Sequence, residues 1–154
     1  MSDGRREELA ANLVEVRARI DGAAGAAGRS GDEVTLVVVT KTWPASDVAL
    51  LADLGVTDVA ENRDQEARPK HDACSLLGLR WHFVGQLQRN KARSVASYAD
   101  VVESVDRAEL VPALAAIEDG AVGTRREARV LAFVAAQGRS GATTLATSCA
   151  LTLA

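Results

Sequence analysis

Val34-Thr35-Leu36-Val37-Val38-Val39-Thr40 is the stretch that decides the fold. Seven β-branched or aliphatic residues in a row read as a strand, because branched side chains pack well on a pleated surface and are crowded in a helix. The run does not alternate apolar with polar, so one wet face is excluded; a strand covered on both faces belongs to a parallel sheet. Upstream, Leu9, Leu13, Val16 and Ile20 recur at helical spacing between Arg5 and Ala24, one apolar stripe with Arg and Glu opposite. The run Gly22-Ala23-Ala24-Gly25-Ala26-Ala27-Gly28 follows that helix and leads into the strand. A dinucleotide loop has the reverse order, so the run reads as a plain linker.

Downstream the pattern repeats. Pro44 opens a helix over 47–54 that Gly55 stops, and Val56 to Ala60 forms a second strand ending at Glu61-Asn62. A polar helix over 63–74 precedes a third strand, Arg80-Trp81-His82-Phe83-Val84-Gly85. A helix at 87–97, a strand at 101–105, a helix at 108–117 and a fifth strand at 128–134 complete the series. The strands start at 34, 56, 80, 101 and 128, spaced 22, 24, 21 and 27 residues apart. Regular alternation of this kind implies a parallel sheet, either open and doubly wound or a barrel. Length leaves both open: an eight-unit barrel takes about 200–250 residues, and the 154 here supply five βα units.

Composition sets the outer limits. The chain is 47% hydrophobic and 25% charged, the balance of one globular domain, and its net charge of −3 does not suit a general nucleic-acid or anionic-membrane binder. The longest uncharged stretch, beyond Arg139, is too short and polar to span a bilayer. The N-terminus, Met1-Ser2-Asp3-Gly4-Arg5-Arg6-Glu7-Glu8, carries no targeting pattern. Cys74 and Cys149 have no metal-type spacing and are expected as free thiols in a cytoplasmic protein.

In parallel α/β architectures ligands bind at the carboxyl ends of the strands. That rule collects Lys41 after the first strand, Glu61 and Asn62 after the second, His82 with Gly85 and Gln86 on the third, and Ser104 and Asp106 after the fourth. Lys41 is either a solvated loop lysine or an amine partly desolvated by the Val and Thr around it, the form a Schiff base needs. His82, between Trp81 and Phe83, reads first as a packing residue. Ser104, His82 and Asp106 compose a triad only on paper, without a nucleophile elbow. With two histidines, His71 and His82, and no cysteine at ligand spacing, no zinc site is expected. Arg89, Lys91 and Arg93 lie in an acid-free stretch between Asp72 and Asp100, either as a solvated helix face or as an anion or RNA contact.

Four motifs now stand in order: Val37-Val38-Val39-Thr40-Lys41-Thr42-Trp43-Pro44-Ala45, Glu61-Asn62-Arg63-Asp64-Gln65-Glu66, Trp81-His82-Phe83-Val84-Gly85-Gln86-Leu87-Gln88-Arg89-Asn90-Lys91 and Glu103-Ser104-Val105-Asp106. Over residues 5–134 the chain resembles the YggS/PROSC family of pyridoxal phosphate homeostasis proteins. The resemblance implies a (β/α)8 TIM-type barrel like the N-terminal domain of alanine racemase, of which about the first five βα units are here. It further implies that Lys41 holds pyridoxal 5′-phosphate (PLP) as a Schiff base, with Asn62, His82 and Ser104 near the cofactor ring. The family carries or buffers the cofactor, with PLP-dependent enzymes as recipients, and influences amino-acid and keto-acid balance. It has no established turnover, so a binding protein rather than an enzyme is expected. Racemization in the related enzyme needs a second acid/base from another domain, and the one tyrosine here, Tyr98, lies far from the strand ends.

The chain also departs from the family. Arg63 stands where Tyr is frequent and Gln86 where Pro is common. The three further βα units that supply the family's phosphate cradle are missing, and residues 135–154 form an atypical, uncharged-ending tail, read as a non-native or disordered product of a frameshift or early stop. That reading predicts weak PLP retention and exposed apolar sheet edges. Two other functions compete: a structural remnant that binds no ligand or persists only by pairing with another chain, and an RNA-contacting α/β module using Arg89, Lys91 and Arg93. On the leading reading the partner is PLP, with no nucleic acid and no membrane.

Overall fold

The computed structural model describes residues 2–115, 129–132 and 149–150. In chain order the elements are α1 (Ser2–Ala26), β1 (Val37–Val39), α2 (Ala45–Asp53), β2 (Asp58–Glu61), α3 (Asp64–Ala73), β3 (Arg80–Phe83), α4 (Arg89–Ala96), β4 (Val101–Val102), α5 (Leu110–Ala115), β5 (Arg129–Ala132) and β6 (Cys149–Ala150). The sheet order is β1-β2-β3-β4-β5-β6; the first five strands pair in parallel and β6 lies antiparallel to β5.

That order separates the two architectures the alternation leaves open. A doubly wound sheet reverses its strand order at a switch point, whereas here each strand from β1 to β5 adds beside the last. Right-handed crossovers repeated in one direction put every helix on the same face, which is how a (β/α) barrel winds. Two apolar clusters mark that face. Val38, Val59 and Trp81 meet Val48 and Leu51 of α2, with Leu9 and Leu13 of α1 against them. Phe83 and Val102 meet Ala92 and Val95 of α4, together with Leu87, Leu110 and Leu114. Burying each of the larger side chains contributes about 1.5–3 kcal/mol.

Alternation along the strands sends the intervening residues, Val39, Ala60 and His82, to the opposite face. This concave side is the one a barrel would enclose.

The elements are shorter than expected, for local reasons. Val34 and Thr35 are not in β1, because Ser30 and Glu33 form a reciprocal capping box that opens a 3-10 turn over 31–33, and Val34 caps its end. The linker expected from Gly22 is instead helix as far as Ala26; the alanines carry α1 through Gly22 and Gly25, and Gly28, at φ +70°, ends it. Of the α1 stripe, Leu9 and Leu13 pack as expected while Val16 remains 38% exposed. Backbone pairing continues one residue past β1, β3 and β4 through the amides of Thr40, Val84 and Glu103. Residues 116–128, 133–148 and 151–154 lie outside the described residues, and with them most of the expected tail and the Gly138–Thr144 stretch. No described helix is long and apolar enough to cross a membrane.

Candidate functional site at the strand ends

Lys41 leaves β1 in a tight turn. The Trp43 amide donates to the Thr40 carbonyl oxygen (3.1 Å), so Lys41 and Thr42 are the two central residues of the loop. Thr42 has φ +67°, a left-handed conformation that a β-branched residue rarely adopts. Trp43 is fixed from the other side by the Arg5 guanidinium, 4.3 Å above its ring, and Arg5 is itself held by Asp47 through Nε (3.0 Å) and Nη2 (2.7 Å). The Lys41 side chain is exposed, which is the solvated one of the two alternatives its position left open. Its amine has no hydrogen bond or ion pair to a described residue.

Asn62 stands two residues beyond Ala60, the register partner of Val39, and so belongs beside Lys41 at the same end of the sheet. It lines a cavity of about 170 Å3 with Phe83, Gln86, Leu87, Gln88 and Lys91. The loop after β3 closes onto it so tightly that a Cβ on Gly85 would stand 1.9 Å from the Asn62 carbonyl oxygen. A larger cleft, about 400 Å3 between α1 and the starts of β1 and β2, lies at the opposite end of the strands, away from the end where α/β sheets do their chemistry.

His82 is buried on the concave face and bracketed by two carboxylates. Its Nδ1 stands 2.7 Å from Glu103 Oε1 and its Nε2 3.0 Å from Asp58 Oδ1. Burial presses the Asp58 carboxyl upward, but hydrogen bonds from Thr57 and His82 and the Arg80 charge outweigh it and hold the group below its ordinary range. Both ring nitrogens are therefore engaged, and Asp106 pairs with Arg107, which removes the paper triad. Ser104 is half-buried past β4, with its hydroxyl oxygen buried and without a partner among the described residues.

Glu61 corrects the strand-end rule. It is fully buried and points to the helix layer, where it accepts from the Thr40 hydroxyl (2.6 Å) and pairs with Lys70 of α3. Tyr98 is also buried on that side, its phenol pushed up by burial and by the nearby Asp64 carboxylate. Cys74 is a free, buried thiol pushed up by burial against a smaller opposing pull from Lys70. Of the basic stretch, Lys91 leans on Asp64 (3.6 Å) while Arg89 and Arg93 are exposed. Asp58, Glu103 and Lys70 are not marked as site residues by the sequence. An acid inside the apolar strand run 56–60 is the one available signal, since a buried carboxylate requires a partner.

No family model matches the chain. A pyridoxal phosphate homeostasis protein of Mycobacterium leprae is 41% identical over 140 residues, which is 84% of this chain and 54% of the relative. The chain is a relative of the pyridoxal phosphate homeostasis proteins. It spans about half the length of the curated relatives it matches. Among solved structures, PipY of Synechococcus elongatus PCC7942 with PLP bound is 38% identical, with a TM-score of 0.52 over 55% of this chain and 40% of PipY. The same protein without PLP is 32% identical, with a TM-score of 0.59 over 70% of this chain and 46% of PipY. The parallel sheet under one helix layer is thus the opening part of the family's TIM-barrel-type fold.

Proposed function

We propose that this chain binds PLP, with the Lys41 amine as its covalent attachment point through a Schiff base, in the service of intracellular PLP homeostasis. The observation that carries the reading is an exposed lysine, unpaired among the described residues, in a constrained turn at the carboxyl end of β1, with PipY, a similar protein, solved with PLP bound. A primary amine adds to an aldehyde and water leaves, so the attachment asks for a lysine free of carboxylate partners. Held there as an imine, the cofactor would have its aldehyde masked, and addition of water would return the free aldehyde and the lysine amine.

The residues around Lys41 fit such a ligand. Asn62 offers an amide at the same sheet end, and the Ser104 hydroxyl, without a partner among the described residues, offers a buried donor and acceptor. His82 is the residue that would face the ring from the concave side; its two carboxylate contacts fix the imidazole in one orientation. The role is storage and release to PLP-dependent enzymes, with effects on amino-acid and keto-acid balance following from cofactor supply. Residues 1–134 are assigned this role.

Titration of the full chain with PLP, followed by visible absorbance, tests the reading. Wild type develops the imine band saturably, Lys41→Ala does not, and equal bands in the two proteins would end it.

A further inference from the structure

The turn that displays Lys41 is closed on one atom, the Thr40 carbonyl oxygen, and that atom has a second donor. The Lys70 amine reaches it from α3 at 2.8 Å, while the same amine pairs with Glu61. Glu61 in turn accepts from the Thr40 hydroxyl at 2.6 Å. Thr40 is therefore gripped at carbonyl and hydroxyl by one ion pair, with Thr40, Glu61 and Lys70 at 2%, 0% and 8% exposure. The Trp43 amide shares the gripped oxygen and closes the loop over Lys41 and the left-handed Thr42.

We propose that Lys70, acting through Glu61 and Thr40, is a positioning residue for the Lys41 amine. Backbone held in a sparsely populated conformation persists only where the surroundings over-determine it, and here the restraint acts on the residue before Lys41. The ion pair is poorly built for stability alone. Glu61 Oε2 is buried without a partner among the described residues, and a buried pair with unfilled acceptors seldom outdoes apolar residues of the same volume. Its geometry is instead spent on Thr40. Lys70 itself is closed to aldehydes by burial, which leaves Lys41 and Lys91 as the accessible lysines among the three in the chain.

The proposal rests on Lys41 as the attachment point, and its test separates the two. Lys70→Met leaves Glu61 buried and unpaired and is expected to unfold readily; the double variant Glu61→Gln with Lys70→Met removes both charges at similar volume. Two readouts are taken on folded full-length protein: PLP affinity by absorbance, and the rate at which trinitrobenzenesulfonate labels Lys41 relative to Lys91 by peptide mass spectrometry. With the unfolding midpoint retained, the double variant is expected to bind PLP at least about tenfold more weakly and to shift the labelling ratio by about threefold or more. Affinity within about twofold of wild type and an unchanged ratio overturn the proposal. If wild type forms no imine at Lys41, the attachment reading fails, and the labelling ratio alone decides for or against positioning. If neither variant folds, the pair is a structural requirement and the positioning role is overturned.

Discussion

Gly85 lies against the backbone of Asn62 so closely that a Cβ there would meet the Asn62 carbonyl oxygen at 1.9 Å and its carbonyl carbon at 2.6 Å. The loop after β3 and the end of β2 are thus packed backbone to backbone at the rim of the candidate site. Gly85→Ala forces them apart and is expected to destabilise the fold by about 1–3 kcal/mol. A urea midpoint lowered at unchanged slope checks this; an unchanged midpoint would mean the two segments separate freely.

Thr42 supplies the opposite sign. A β-branched residue at φ +67° carries a conformational cost of about 1–2 kcal/mol that glycine avoids. Thr42→Gly is expected to raise stability by up to about 1 kcal/mol, part of the relief being offset by the greater freedom of glycine in the unfolded chain. Because the same change loosens the Lys41 loop, PLP affinity should fall while the melting temperature rises. Calorimetry and an absorbance titration on one preparation read both.

The concave-face network predicts a pH dependence. The Asp58 carboxyl is held below its ordinary value of 3.8 in the folded chain. A depressed carboxylate contributes stability that is fully present above its unfolded value and is lost as pH falls through the folded one. Unfolding free energies measured from neutral pH downward should therefore decline more steeply in wild type than in Asp58→Asn, the curves converging at the acid end. Parallel curves would show that Thr57, His82 and Arg80 do not favour the Asp58 charge.

Burial separates two leucines that look alike in the sequence. Leu87 is fully buried between β3, β4 and the α3–α5 layer, whereas Leu76 is 97% exposed. Leu87→Ala is expected to cost about 2–5 kcal/mol, and Leu76→Ser to stay within about 0.5 kcal/mol. Equilibrium denaturation of the two variants distinguishes a formed outer layer from a collapsed one.

The order of strands and helices is readable from the residues because β-branched runs and helical periodicity are local signals, and the run 34–40 already implies a parallel sheet. Its first three residues fall outside β1 for an equally local reason, the Ser30-Gly31-Asp32-Glu33 capping box, whose spacing is visible in the sequence. Lys41 and Asn62 are reached by the strand-end rule. Glu61 obeys the same rule and yet turns to the helix layer, because strand alternation decides its face and Lys70 waits there, nine positions away on a polar helix with nothing in its neighbours to show that it points inward. His82 is buried, as its aromatic flanks suggest, but Trp81 and Phe83 face the helices and leave it on the other side. Its partners Asp58 and Glu103 come from strands on either side, and only the register brings them together.

On the proposed attachment, one lysine of the three in the chain takes the cofactor. Full-length protein incubated with PLP, reduced with borohydride and mapped by peptide mass spectrometry should carry a single pyridoxyl group on the peptide containing Lys41, absent from Lys41→Ala. Label divided between Lys41 and Lys91 in proportion to their exposure, or no label at all, would contradict it.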